Sequence, residues 1–208
     1  MHNYTYTTLV SSQEYLIAAL ILNESIKRAG SLYPFLICLT ADLATEDNIN
    51  ILKKENINVK IIPVLKYSFP SNGTVDNTAS KINVFNLKEY DKILYIDADS
   101  LILKNIDHLF EKLDGSILHY PSEARGMSGM FLINPKNHNY NIYKFLIENY
   151  NMYDGGIIGH LFFHCISNPE YFIEEKYLFN VYSSKQDINL KEYYGLHFGL
   201  SQKPFYKE

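Results

Sequence analysis

Between Tyr90 and Asp107 the chain reads Tyr-Asp-Lys-Ile-Leu-Tyr-Ile-Asp-Ala-Asp-Ser-Leu-Ile-Leu-Lys-Asn-Ile-Asp. The run from Ile93 to Ile96 is long and apolar enough for a buried strand, and it stops at two carboxylates, Asp97 and Asp99, with one alanine between them. Ligands of open α/β sheets sit outside the carboxyl ends of the strands, so this is where such a sheet presents its chemistry. Two oxygen donors there suit a hard divalent cation holding a phosphorylated substrate. A strand-ending turn, in which either aspartate hydrogen-bonds its own backbone, fits the same residues. The stretch alone does not separate these two readings.

The remainder of the chain alternates strand and helix signals around this run. Tyr6 to Val10 reads as a β-branched strand, and Ser11-Ser12-Gln13-Glu14 forms a capping box for a helix that stops at Gly30. Leu16, Ala19, Leu20 and Asn23 share a face of that helix, widened by Ile17, Ile21 and the alanines. Phe35 to Leu39 is a second strand, Thr45 to Glu55 a short helix with Ile49 and Leu52 inward, and Val59 to Val64 a third strand. Such alternation implies right-handed crossovers and a parallel sheet. Lys66 to Thr78, with Pro70, Asn72 and Gly73, is a loop, and Lys81 to Lys88 is a short helix capped by Thr78 or Ser80. Ser100 to Leu103, Ser116 to Tyr120 and Met130 to Ile133 are strand-like, and Asp107 caps a helical turn ending near Lys112. A helix over Tyr140 to Tyr150 buries Ile142, Phe145 and Leu146, and Asp154-Gly155-Gly156 opens another that runs to about Cys165.

At 208 residues the chain suits one large domain, so residues 1–208 are expected to fold as a unit. A net charge of -4 without long charge runs offers no basic footprint for nucleic acid and no polybasic membrane patch. No apolar segment approaches the length of a membrane span, and the first residues do not pattern as a signal peptide, so a cytoplasmic location is expected. The two cysteines, Cys38 and Cys165, lie in apolar surroundings and read as buried thiols, not as a disulfide framework or a zinc site.

Six segments in order sharpen the reading. They are Thr8-Leu9-Val10-Ser11-Ser12-Gln13-Glu14-Tyr15, the run from Tyr90 to Asp99, Ser128-Gly129-Met130-Phe131, Asp154-Gly155-Gly156, Phe179-Asn180-Val181 and His197-Phe198-Gly199-Leu200-Ser201-Gln202-Lys203-Pro204. Together they resemble the glycogenin-like branch of glycosyltransferase family 8. The resemblance implies a GT-A fold, an α/β architecture with a Rossmann-like, mostly parallel central sheet flanked by helices. It implies a UDP-sugar donor and Mn²⁺, with Mg²⁺ as the alternative, held by Asp97, Asp99 and His197. Two carboxylates and an imidazole suit that ion, which neutralises charge building on the leaving diphosphate. By the same resemblance Lys203 meets the pyrophosphate, while Leu9, Ser11, Ser12 and Tyr15 cradle the uridine, with the Tyr15 ring free to stack on the base. Lys81 reaches the sugar phosphate, and Ala98, Ser128, Gly129 and Gly199 belong to the motifs lining the nucleotide.

The chain departs from this pattern at one end. Relatives follow Gly-Gly with Asp-Gln at the donor sugar, whereas Ile157 and Ile158 stand here, leaving Asp154 as the nearest carboxylate for catalysis. Met127 replaces a common asparagine, and Gly199 falls one position early. Isoleucine cannot hydrogen-bond a sugar hydroxyl, so the diphosphate end is expected to be intact and the sugar end altered. The expected activity is a retaining transfer from a UDP-sugar, glucose or a related hexose, to a hydroxyl on a glycan or protein. The alternative is a nucleotide-sugar-binding paralogue without turnover. A homodimer through the tyrosine-rich helix is the expected assembly, with nucleic acid excluded as a partner.

Overall fold

In the computed structural model the described residues are 2–68, 75–119, 126–152, 154–162, 168–181 and 189–199. The central sheet is assembled from strands β1 (Tyr4–Val10), β2 (Phe35–Thr40), β3 (Asn58–Ile62), β6 (Lys92–Ile96), β8 (Ser116–His119), β9 (Gly126–Ile133) and β10 (Phe172–Glu174). Their spatial order is β10-β8-β9-β6-β1-β2-β3. β3, β2, β1 and β6 run parallel, β9 is antiparallel to both β6 and β8, and β10 is parallel to β8. The chain therefore builds outward from β1 through β2 to β3 and then returns to place β6 on the other side of β1. The β1/β6 boundary is thus a topological switch point, where a crevice opens at the carboxyl ends of the strands.

The apolar runs are continuous because the sheet is buried on both faces, and the period of two sorts alternate residues between the layers. Tyr6, Val10, Ile37, Leu39, Leu94, Ile96, Met130 and Leu132 point into one cluster, with Leu16, Ala19, Leu22 and Ile26 of helix α1 (Gln13–Arg28). Leu9, Cys38, Ile93, Tyr95, Phe131 and Ile133 point into the other. That second layer is covered by the 3₁₀ segment Thr78–Asn86 and by helices α3 (Tyr140–Tyr150) and α4 (Asp154–Leu161). Helix α2 (Glu46–Lys54) starts at Thr45, whose hydroxyl accepts from the Asn48 amide as a helix cap should. Burial pushes the Cys38 thiol up to about 11, so it is the inert buried group expected; Cys165 lies outside the described residues.

Several local expectations change. Ser12, not Ser11, occupies the N-cap of α1, and its side chain makes no capping bond, so the helix does not start on the expected box. Ile17 and Ile21 are exposed, because Ala18, Leu22, Ser25 and Ile26 take the inward face beside Leu16 and Ala19. On α3 the inward residues are Tyr143 and Ile147, whereas Ile142 and Phe145 face out. The helix over Lys81 to Lys88 is a 3₁₀ segment starting at Thr78 after Asn77, neither Thr78 nor Ser80 serving as its cap. The loop after Lys66 contains a short antiparallel pair, β4 (Tyr67–Ser68) with β5 (Val75–Asp76), and Pro70, Asn72 and Gly73 lie outside the described residues.

Asp107 opens its helical turn but spends its carboxylate elsewhere. It accepts the buried Tyr6 hydroxyl at 2.6 Å, the Ser31 hydroxyl at 2.7 Å and the Leu32 amide at 2.8 Å. These bonds tie the loop entering β2 to the turn after the strand Ser100–Ile102.

Candidate active site

The carboxylates stand where β6 leaves the sheet. Asp97 follows Ile96 directly, and its amide donates to the Gly129 carbonyl at 2.9 Å, one step beyond the β6/β9 ladder. Asp99 begins the turn into β7 (Ser100–Ile102). β7 pairs antiparallel with β12 (Gly195–His197), which pairs in turn with β11 (Phe179–Asn180), and this register sets His197 opposite Ser100. The Phe198 amide donates to the Asp99 carbonyl at 2.8 Å and closes the arrangement. A histidine almost a hundred residues from the aspartates is thereby fixed beside them through backbone pairing.

His197 Nε2 lies 3.2 Å from Asp99 Oδ1 and 3.8 Å from Asp97 Oδ2. One donor atom from each of the three side chains falls within 4.8 Å of the others. Neighbouring ligands around a small divalent cation, each at about 2.1 Å, stand about 3 Å apart, so only a small contraction would close these donors on an ion. The donor set of two hard oxygens and one imidazole matches Mn²⁺ or Mg²⁺. Burial disfavours the imidazolium of His197, but the Asp99 hydrogen bond and the charges of both aspartates outweigh it and hold its pKa above 6.5. A cation entering here would take over the neutralising role of that proton, since a ligating imidazole must be neutral.

Asp97 divides its carboxylate between two environments. Oδ2 faces His197, while Oδ1 accepts from the buried Lys81 ammonium at 2.8 Å and from the Tyr95 hydroxyl at 2.9 Å. Lys81 Nζ also lies 3.3 Å from the Ser128 carbonyl and 3.4 Å from its hydroxyl. Those groups are presented by an irregularity in β9, where the β8 partner jumps from Phe131 to Met127 and leaves Ser128 to Met130 outside the β8 ladder. Bulges of this kind re-aim backbone groups beside active sites. Gly129 sits under the candidate ligands: a Cβ there would touch Asp97 Oδ2 and His197 Cε1, both at 3.4 Å. Gly199 packs over the same imidazole edge, with a hypothetical Cβ 3.5 Å from Cε1.

A cleft of about 230 Å³ opens over these residues, lined by Leu9, Ser11, Tyr15, Thr78, Lys81, Tyr95, Asp97, Ala98, Asp99 and Ser128. Eight of these were singled out in the sequence, drawn from segments far apart in the chain. Ser12 is not among the lining residues and serves as the N-cap of α1. Lys203 lies outside the described residues, as does the side chain of Asp154, although Asp154 does open α4. Thr78 and Tyr95 were missed. Tyr95 hides in an apolar run where a phenol looks like any other strand residue; its position two before Asp97, hence on the same face of the strand, was the available signal.

The isoleucines of the departed motif are not at the cleft. Ile157 and Ile158 are fully buried in the apolar layer with Phe85, Tyr95, Phe131 and Phe162. Burial of each side chain stabilises the fold by about 1.5–3 kcal/mol, so α4 packs here as a core helix.

No family model matches the chain. Among curated relatives it is 28% identical over 159 residues to inositol phosphorylceramide glucuronosyltransferase 1 of Arabidopsis thaliana, covering 75% of this chain and 29% of that protein. It is 27% identical over 166 residues to glycogenin-1 of Mus musculus, covering 76% of this chain and 50% of that one. The chain thus spans half or less of the length of these relatives. Among solved structures it superposes on the galactosyltransferase LgtC, in a complex with donor and acceptor sugar analogs, with a TM-score of 0.63 and 16% identity, covering 99% of this chain and 90% of that one. Relatives by sequence are family 8 glycosyltransferases and neighbours by structure are GT-A glycosyltransferases, so the two comparisons agree on the fold of this chain and on the family it resembles.

Proposed function

We propose that the chain is a metal-dependent, retaining glycosyltransferase that moves a hexose, glucose or a close relative, from a UDP donor to a hydroxyl acceptor. The observation that carries this reading is the convergence of Asp97, Asp99 and His197 beside the β1/β6 switch point, where both aspartates line a cleft. Asp97, Asp99 and His197 would hold Mn²⁺ or Mg²⁺, and the bound cation would neutralise charge developing on the leaving diphosphate. Leu9, Ser11 and Tyr15, which line the same cleft, offer an apolar contact, a hydroxyl and an aromatic face to a uridine. Lys203 is assigned to the diphosphate and Asp154 to the reacting sugar on the strength of the family resemblance. The whole of residues 1–208 forms one catalytic domain in this reading. The acceptor is a glycan or protein hydroxyl.

The test is calorimetric titration with UDP and a panel of UDP-sugars, with and without Mn²⁺, followed by assay of UDP release. UDP binding should require Mn²⁺ and fall at least tenfold in Asp99→Ala and His197→Ala, with UDP release from the preferred donor abolished in both. Metal-independent binding, unchanged by either substitution, would sink the reading.

The burial of Ile157 and Ile158 favours a second reading, a protein that binds the nucleotide sugar without turning it over. It differs from the first in one outcome: tight Mn²⁺-dependent UDP binding with no UDP release to water or to any acceptor.

A further inference from the structure

Asp97 can serve as a ligand only if one oxygen stays turned toward Asp99 and His197, and the structure shows what holds the other. Oδ1 takes two hydrogen-bond donors, the Lys81 ammonium at 2.8 Å and the Tyr95 hydroxyl at 2.9 Å, while Oδ2 is the oxygen 3.8 Å from His197 Nε2. The two donors differ in kind. A cation bound at Oδ2 would repel the Lys81 charge a few ångströms away, whereas a neutral phenol keeps its bond whatever charge arrives on the far oxygen. The phenol is also firmly mounted. Tyr95 is 1% exposed and pairs across the ladder with Phe131, their rings stacked at 4.8 Å and 13°. Phe131 stacks in turn on Phe85 at 6.0 Å and 11°. Ile157, Ile158 and Phe162 pack in the same apolar layer, so the residues that replaced the family's polar pair now support this column of rings.

From this geometry we propose that Tyr95 is the positioning residue of the metal centre, its buried hydroxyl locking one oxygen of Asp97 so that the other remains aimed at the Asp99 and His197 donors. The inference rests on the metal-dependent reading above. Groups that orient a metal ligand from behind, when removed, commonly weaken the ion's binding by about 10- to 100-fold.

The experiment is a titration of the full chain with Mn²⁺ in the presence of UDP, following free aquo-Mn²⁺ by electron paramagnetic resonance. Tyr95→Phe keeps the ring and its stack and removes only the hydroxyl, and it should raise the Mn²⁺ Kd by about tenfold or more. A merely structural role would lower the unfolding midpoint of the metal-free protein and leave that Kd unmoved, and this result would overturn the proposal. Phe131→Leu keeps the phenol but loosens its mount; it should give a smaller rise in Kd, and it reads on the proposal even where Tyr95→Phe does not fold. An unchanged Kd in Phe131→Leu together with an unchanged Kd in Tyr95→Phe removes the positioning role alone. Failure of the parent protein to bind Mn²⁺ removes the metal reading, and the positioning role with it.

Discussion

At the scale of single residues, the molecule places its charged groups where specific bonds offset the loss of water. Asp107 is the clearest structural case: four donors, from Tyr6, Ser31, Leu32 and Asn105, converge on it, and one of them, the Tyr6 hydroxyl, is fully buried. Asp107→Ala should cost about 1–3 kcal/mol, because the phenol would be left in the core without its acceptor. Urea denaturation measures this directly, and a midpoint equal to the parent's would contradict it. Tyr95 and Asp97 repeat the arrangement in a functional setting. The same chemistry, a buried phenol on a carboxylate, holds a loop in one place and a candidate metal ligand in the other.

At the scale of elements, two segments decide the site. β12 brings His197 to the aspartates, and Gly195 is what lets it approach. A Cβ at that position would lie 2.7 Å from the Tyr177 carbonyl and 3.0 Å from Ile102 Cδ1, closer than packed atoms come. Gly195→Ala should therefore destabilise by about 1–3 kcal/mol and weaken Mn²⁺ binding as β12 shifts, read by thermal melting and by metal titration. Melting alone changing, with metal affinity intact, would show that β12 is not what seats His197. Helix α4 is the second segment. Ile157→Asp/Ile158→Gln reproduces the family's pair, and a simple sequence reading expects it to restore sugar contacts. Both positions are buried among aromatic rings, so the double variant should instead lose about 4 kcal/mol or more from stranding polar groups in the core. Chemical denaturation at parental stability would show that α4 can turn these residues to the cleft.

At the scale of the whole molecule, acid stability follows from the carboxylates that fasten its layers. Burial alone would raise the pKa of Asp107 and of Asp114, but hydrogen bonds outweigh it: Tyr6, Leu32 and Ser31 on the first, His138, Asn134 and Asn137 on the second. Both sit below the ordinary 3.8 in the folded chain. A folded pKa lower than the unfolded one contributes stability that is complete above about 3.8 and disappears as pH falls through the folded values. Urea midpoints measured from about pH 6 down to about pH 2.5 should fall steeply at the acid end, and Asp107→Asn should flatten that fall. Assembly belongs to this scale too. Ile142, Phe145 and Tyr150 lie exposed on α3, half or more of each surface open. A homodimer formed there should dissociate in Phe145→Asp, as followed by sedimentation; an unchanged mass in solution would place the contact elsewhere. Among the described residues no helix is long and apolar enough to cross a membrane.

How much of this was legible in the sequence follows from how local each signal is. The order of strands and helices was readable because apolar periodicity is a property of neighbouring residues, and the Asp97-Ala98-Asp99 motif because a strand that ends in carboxylates is conspicuous against its apolar run. The inward faces of α1 and α3 were misjudged at Ile17, Ile21, Ile142 and Phe145, since each helix carries more apolar residues than one face can hold and only packing selects among them. The same limit applied to α4, whose isoleucines read as a damaged sugar pocket and prove to be core. His197 was linked to the aspartates by resemblance; what brings them together physically is the pairing of β12 with β7, a contact between segments nearly a hundred residues apart that local patterning does not encode. By itself, then, the sequence determined the sheet, the switch-point strand and the two carboxylates. Tertiary structure alone decided which oxygen of Asp97 faces His197, because that choice depends on Lys81, Tyr95 and the irregularity at Ser128 meeting in space.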